Sequence, residues 1–372
     1  MSDEVKAAQM KMQDTLQNAL TELSAGLYNE DAHLFLELTQ NADDNSYEHD
    51  NPALQFVLTP TTVYVLNNEV GFAEDNIRAV CDVGKSTKKT KYGYIGNKGI
   101  GFKSVFRITH RPEIHSNGFH FKFDSESQGQ LGYILPSWVS ADEQAQRVAE
   151  LIAANPFTHA DGSLDEWRTR VILPLKVSSP KEFAKQRENL QDVQPALLLF
   201  LRRLRCIVVT VNHREAAPFR RHMQRVDVSD CLVSIDVRDE QVGVSSAAAA
   251  AAAVDTCRSE KYMLVRRSFM PELKRDSKRV GNAATEIVLA FPLYDEDEAA
   301  TAAMLPFPDQ PVYAFLPLRS FGFKFIVQAD WQVPSSREDV DKNSEWNKVR
   351  PIYSPPLCTR RCFFAQRLGG FT

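Results

Sequence analysis

The chain has 372 residues, enough for about two domains, with 43% hydrophobic and 25% charged residues, the composition of a globular protein that buries a real core. A net charge of -4 argues against a dedicated nucleic-acid binder, although local basic patches remain open. No apolar run approaches the ~20 residues needed to cross a bilayer, and the polar stretch Met1 to Gln17 carries no signal-peptide core, so an intracellular protein without a membrane partner is expected.

The six cysteines, Cys81, Cys206, Cys231, Cys257, Cys358 and Cys362, are scattered without paired CxxC spacing, which speaks against a zinc site or a disulfide framework. In chain order, residues 4–24 read as a helix. A second helix is predicted over Leu34 to Asp44, where Leu34, Leu38 and Ala42 recur at helical spacing. Glu37 and Asn41, four apart, share one face of it, and Asp44 falls near the same face. An amide oxygen there suits a hard cation and a carboxylate suits the orientation of a water; a solvated face with ordinary caps is the alternative.

Ala53 to Thr59 and Thr62 to Leu66 read as two strands of a hairpin that delivers Asn67-Asn68-Glu69-Val70-Gly71-Phe72 to its end. A short helix starts at Ala73-Glu74-Asp75-Asn76. The basic stretch from Asp82 to Gly93 reads as a loop, either plain surface or a lid whose lysines face a polyphosphate. Gly96, Gly99 and Gly101 then precede a helical stretch, Phe102 to Phe106. Such glycines let several backbone N–H groups approach an anion together.

Strands are expected around Pro112 to His115, Phe119 to Phe123 and Gly132 to Leu135, a helix over Ala141 to Ala154, and a strand over Thr169 to Leu175. The five-residue spacing of His110, His115 and His120 matches neither helix nor strand periodicity, so these read as surface or hydrogen-bonded histidines, not metal ligands. Residues 178–203 read as helical. Strand-like segments follow at Cys206 to Val211, Cys231 to Val237, Met263 to Arg266, Glu286 to Leu293, Val312 to Leu316 and Phe321 to Gln328, interrupted by the alanine run Ala247 to Ala253. The expected domains are 1–177, 178–350 with the low-complexity insertion near 245–254, and an irregular tail, 351–372, compatible with truncation.

Taken together, these segments resemble the GHKL superfamily (gyrase, heat-shock ninety chaperone, histidine kinase, MutL), and most nearly its branch of NO VEIN-like and sacsin-like proteins. Glu-Leu-Thr-Gln-Asn-Ala-Asp-Asp matches the first motif. The resemblance implies Glu37 as the general base for water, Asn41 as the Mg²⁺ ligand and Asp44 as an acidic residue facing the same pocket. Of the second motif, Asp-x-Gly-x-Gly, Gly71 is retained, Asn67 stands where the adenine-binding aspartate belongs, and Glu69 replaces the first glycine. Gly96, Gly99 and Gly101 match the phosphate-cradling third motif, with Lys98 and Lys103 as additional cations. Thr169 matches the late-strand threonine that supports adenine recognition. Arg337 matches an arginine that reaches the γ-phosphate; a salt bridge to Glu338 or Asp339 is its alternative role.

The implied fold is α+β: a two-layer α/β sandwich of the Bergerat type, helices covering one face of a mixed sheet, followed by a smaller α/β second domain. The implied function is Mg²⁺-dependent ATP binding and slow hydrolysis driving a chaperone-like conformational cycle with an unidentified protein client. Two alternatives stand beside it. One is a nucleotide-binding switch with negligible hydrolysis. The other is a MutL- or MORC-like ATPase associated with nucleic acid, which would draw on Arg202-Arg203-Leu204-Arg205 and Arg220-Arg221-His222.

Overall fold

The computed structural model describes residues 34–81, 102–157, 164, 166–213, 216–241, 254–269, 285–294, 308–334, 339–342 and 344–348. The helix expected over 4–24, the loop 82–93, the segment with Gly96, Lys98, Gly99 and Gly101, the alanine run, Arg337 and the tail 351–372 lie outside these residues.

Helix α1 spans Leu34–Asp43, and Leu34, Phe35, Leu36 and Leu38 are buried along it. Strands β1 (Ala53–Leu58) and β2 (Thr62–Asn67) form the expected antiparallel hairpin, with Leu54 opposite Asn67 and Leu58 opposite Val63. Its turn is fixed locally, since Thr59 Oγ1 accepts from Thr62 N–H at 3.0 Å. Every β1 residue is buried because both faces of the strand are covered. On one face the Phe56 ring meets Phe35 of α1 edge-on at 5.3 Å. On the other, Ala53 and Val57 join Tyr64, Leu66, Ile172 and Val208 in a cluster with Leu151 and Ala154. These last two come from α3 (Ala141–Ala154), which starts at a capping box between Ser140 and Glu143.

Four further strands extend the hairpin. β6 (Thr169–Pro174) pairs antiparallel with β2, and β3 (Glu113–Ser116) pairs with β6. β4 (Phe119–Lys122) pairs with β3 through a two-residue turn, Asn117-Gly118, whose φ angles of 48° and 82° are those Asn-Gly turns favour. The strand expected at Gly132 to Leu135 is replaced by a 3₁₀ turn over Gly129–Tyr133, and the strand forms at β5 (Ser137–Trp138). On the other side of the hairpin, β7 (Cys206–His213) runs parallel to β1, and β8 (Ala216–Asp227) returns antiparallel to β7. The remaining described helices of this part are α2 (Glu74–Cys81) and α4 (Pro180–Asn189).

The chain divides into two compact units. The first takes the residues up to Pro195 with Leu201–Gln224 and Val237–Cys257, and the second takes Ala196–Phe200, Arg225–Asp236 and the residues from Arg258 onward. In the second unit, β10 (Val254–Phe269) pairs antiparallel with β11 (Thr285–Leu293) from Lys261–Leu293 to Phe269–Thr285. β14 (Ile326–Ala329) pairs with β11, β12 (Pro311–Ala314) lies parallel to β14, and β13 (Leu316–Ser320) returns on β12. Val312, Leu318 and Val327 form its core cluster. A short α5 (Glu345–Lys348) is tied down by Trp346, whose indole N–H donates to the Asp330 carbonyl at 2.7 Å.

This architecture corrects the expected fold. With β9 (Leu232–Gln241) included, the described strands form a mixed fourteen-stranded sheet in the order β13-β12-β14-β11-β10-β9-β8-β7-β1-β2-β6-β3-β4-β5, with few helices, and not a helix-rich two-layer α/β sandwich of the Bergerat type. The smaller α/β second domain is likewise replaced by strands. The helical reading of 178–203 fails at its second half: beyond Asn189 the chain forms the 3₁₀ turns Leu190–Asp192 and Pro195–Leu199 before turning into strand, and Pro195, which has no N–H to donate, opens the second of them. No helix among the described residues is long and apolar enough to cross a membrane.

Candidate functional site

The end of β2, the start of β6 and the tip of the β3–β4 hairpin meet around one buried carboxylate. Glu69, 4% exposed, accepts from Thr169 Oγ1 at 2.6 Å. Thr169 Oγ1 lies 2.6 Å from Ser116 Oγ, and Ser116 Oγ accepts the Phe72 backbone N–H at 2.8 Å. The directions follow from the ends of the chain. The Glu69 acceptor takes the Thr169 proton, so Ser116 donates to Thr169 and is left to accept from Phe72. Four groups are thus satisfied in one relay inside the protein, where an unpaired one would be expensive.

Asn67 is also buried, and both ends of its amide are engaged. Its oxygen accepts the Glu69 N–H at 2.9 Å, and its amino group donates to the Tyr47 hydroxyl at 3.0 Å. That hydroxyl in turn donates to the Ala42 carbonyl of α1 at 2.7 Å, and burial, ahead of nearby carboxylates, raises the Tyr47 pKa above its usual value. Tyr47 therefore joins the end of β2 to the end of α1. The carboxylate touching Thr169 is Glu69, which the motif comparison had placed only as the substitute for a glycine. The signal missed was chemical: a carboxylate near the strand end can reach the threonine of a paired strand whatever its exact motif position.

Gly71 occupies φ +91°, and a Cβ on it would lie 2.6 Å from Asn117 Cβ. Asn117 Nδ2 also donates to the Phe72 carbonyl at 3.2 Å, so the hairpin tip is fitted against the loop that leaves β2. On α1, Glu37 and Asn41 are half-buried and Asp44 is buried. Helix α1 packs against the 3₁₀ segment Phe102–Arg107 that follows the glycine-rich stretch. Lys103 lies in that segment, 2% exposed, with its ammonium 4.4 Å from the Phe123 ring centroid and donating to the Tyr133 carbonyl. Its charge is held in an aromatic enclosure. Gly96, Lys98, Gly99, Gly101 and Arg337 lie outside the described residues.

On the opposite face of the same hairpin, His115 Nδ1 and His120 Nδ1 lie 3.0 Å apart, one donating to the other. The two are cross-strand partners, a pairing that their five-residue spacing conceals. His115 Nε2 is 3.6 Å from Glu113, whose carboxyl is kept below its usual pKa by His115 and Arg147 although burial opposes this. Among the described residues no group of three or more His, Cys, Asp or Glu side chains could hold a metal ion. Glu37 and Asn41 of α1, with Asp44 one residue past its end, carry oxygens of the kind a hard cation takes.

Residues 51–131, which include the β1–β2 hairpin, Glu69, Gly71 and Ser116, match the family model described as the Sacsin domain. The chain is also homologous to Protein NO VEIN of Arabidopsis thaliana, 43% identical over 342 residues, which are 91% of this chain and 11% of that protein. The relationship is therefore NO VEIN-like and sacsin-like, and the chain spans about a tenth of the length of the curated relative it matches. The crystal structure of the N-terminal domain of a DNA repair protein aligns over 93% of this chain and 98% of that chain, at 11% identity and a TM-score of 0.46, a likeness too low to build on.

Two outcomes are expected. Gly71→Ala should destabilise the chain by about 2 kcal/mol or more, since it adds a clash to φ strain, whereas Gly118→Ala, at φ +82° with nothing within 4 Å, should lose only about 1 kcal/mol; urea unfolding measures both. Burial also lowers the pKa of His110, His120 and His222 below 6.5, so below that value the unfolded chain binds protons that the folded chain resists. The histidine contribution to stability is then complete above pH 6.5 and falls as the pH drops towards the folded values. His120→Asn should flatten this slope in urea titrations between neutral and mildly acidic pH, and an unchanged slope would contradict the assignment.

Proposed function

We propose that this chain is a GHKL-type module that binds Mg–ATP and hydrolyses it slowly. The observation that supports this reading most is the buried relay from Phe72 through Ser116 and Thr169 to Glu69, because an oriented carboxylate–hydroxyl pair at a strand end is suited to accept from the amino group of a purine. In this reading Glu69 and Thr169 select the base, with Asn67 holding the loop. The half-buried Asn41 would supply one oxygen ligand to Mg²⁺. That is sufficient chemically, since Mg²⁺ keeps waters and takes its other oxygens from phosphate. When bound, ATP and Mg²⁺ bring the transferable phosphoryl group and the charge that neutralises it.

Glu37, four residues before Asn41 on the same helix, is the base that would orient and deprotonate water. Asp44 would shape the pocket. The glycine-rich segment with Gly96, Gly99 and Gly101, together with Lys98 and Arg337, would contact the phosphates. Lys103 would act indirectly, by holding the segment 102–107 against α1. The proposed output is conformational, passed to a protein partner inside the cell.

Phosphate release from Mg–ATP by the purified chain, beside Glu37→Ala, tests the reading. Release should fall about 100-fold or more in the variant while nucleotide binding survives. Binding without release in either protein would instead identify a nucleotide switch. Absence of binding in both would refute the proposal.

A further inference from the structure

Asp43, the last residue of α1, is 2% exposed, and its carboxylate accepts three consecutive backbone N–H groups: Arg202 at 2.9 Å, Arg203 at 2.8 Å and Leu204 at 2.9 Å. Burial raises its pKa while the three amides pull it down. With the backbone clamped and the Leu204 side chain fully buried, the Arg202 and Arg203 side chains are left on the exposed side. Arg205 is half-buried, and its Nη1 donates to the carbonyls of Arg202, Arg203 and Leu204 at 3.0–3.3 Å. Arg203 Nη1 donates to the Asn45 carbonyl and, at 3.4 Å, to Ser46 Oγ.

All three arginines line one cavity of about 420 Å³, together with Ser46, Tyr47 and Asp50 among others. Among the described residues that line it, Asp50 is the one carboxylate against three arginines, so this lining is net positive. We propose that this cavity is a binding site for a small phosphate-bearing anion, a phosphomonoester or a diphosphate. Guanidinium forks match phosphate oxygens in pairs. Arg203 and Arg205 are already positioned by neutral oxygens, so less side-chain freedom is lost when an anion arrives. Ser46 Oγ accepts from Arg203, which leaves its own proton to give. The cavity exceeds the size of a bare phosphate and lies in the range of small-molecule sites. Tyr47 forms one wall, and its hydroxyl is the link between Asn67 and Ala42, so a ligand here would act on the end of β2. The site contains neither Glu37, Asn41, Glu69 nor Thr169, and it stands whether or not the chain binds ATP.

The experiment is calorimetric titration of the full chain with sodium pyrophosphate at low salt, alone and with saturating Mg–AMPPNP, and the same for Arg202→Gln, Arg203→Lys and the double variant Arg202→Gln/Arg203→Gln. Saturable binding should persist in the presence of the nucleotide analogue and weaken about tenfold or more in the double variant. Arg203→Lys, which keeps the charge and loses the fork, should fall between. Arg202→Gln alters only an exposed side chain, so a loss of binding there with an unchanged melting temperature supports the site even if the double variant folds poorly. Three results would overturn the proposal: no saturable binding by the unsubstituted chain, an affinity unchanged from that chain in both Arg202→Gln and the double variant, or full displacement by Mg–AMPPNP. Binding of a short DNA duplex without any binding of pyrophosphate would also overturn it, in favour of a nucleic-acid surface.

Discussion

A carboxylate buried at the end of a central strand must be answered by donors, and the arrangement around Glu69 is built to supply them. Thr169 sits at the first position of β6, opposite Asn67, and Ser116 ends β3, opposite Thr169. Those two registers bring both hydroxyls to the same face as the Glu69 carboxylate. A shift of one residue in either ladder would turn a hydroxyl to the far face and leave the acid unpaired. The Asn117-Gly118 turn and the positive φ of Gly71 follow from the same constraint, since they let the hairpin tip close over the loop that carries Glu69 and Phe72.

Helix α1 connects this centre to its surroundings in three directions. Its apolar face, through Phe35, packs on Phe56 and completes the burial of β1. Its C-terminal carboxylate, Asp43, fixes the 202–204 backbone just before β7, and β7 lies parallel to β1. Its remaining face holds Glu37 and Asn41, half-buried. A helix anchored at both its apolar side and its end is a rigid platform for the polar groups it carries.

Much of this was legible in the sequence. Helical spacing of Leu34, Leu38 and Ala42 locates α1, the strand-like runs Ala53 to Thr59 and Thr62 to Leu66 locate the β1–β2 hairpin, and Ala141 to Ala154 reads as the helix that forms α3. What escaped was non-local. Motif position gives Asn67 and Glu69 their expected roles, whereas the contact to Thr169 depends on pairing between strands far apart in sequence. Lys103 reads from the sequence as an additional cation beside the phosphate-cradling glycines, but Phe106, Phe123 and Tyr133 supply an enclosure that only tertiary packing creates. The sheet was underestimated for a related reason. The sequence shows β10 only as the fragment Met263 to Arg266 and does not show β8 at all, because their lengths and their pairing into one fourteen-stranded order are set by neighbours and not by local pattern. His115 and His120 show the same limit at the scale of one hairpin.

The proposed function requires a purine nucleotide to be held at the Glu69 centre. The most direct test is to follow backbone amide resonances of the isotopically labelled chain as Mg–AMPPNP is added. The largest shifts should fall on Glu69 to Phe72, Ser116 and Thr169, with a second group on α1 around Glu37 and Asn41, and Thr169→Val should weaken the titration. Saturable shifts elsewhere with these amides silent, or no shifts at all, would contradict it.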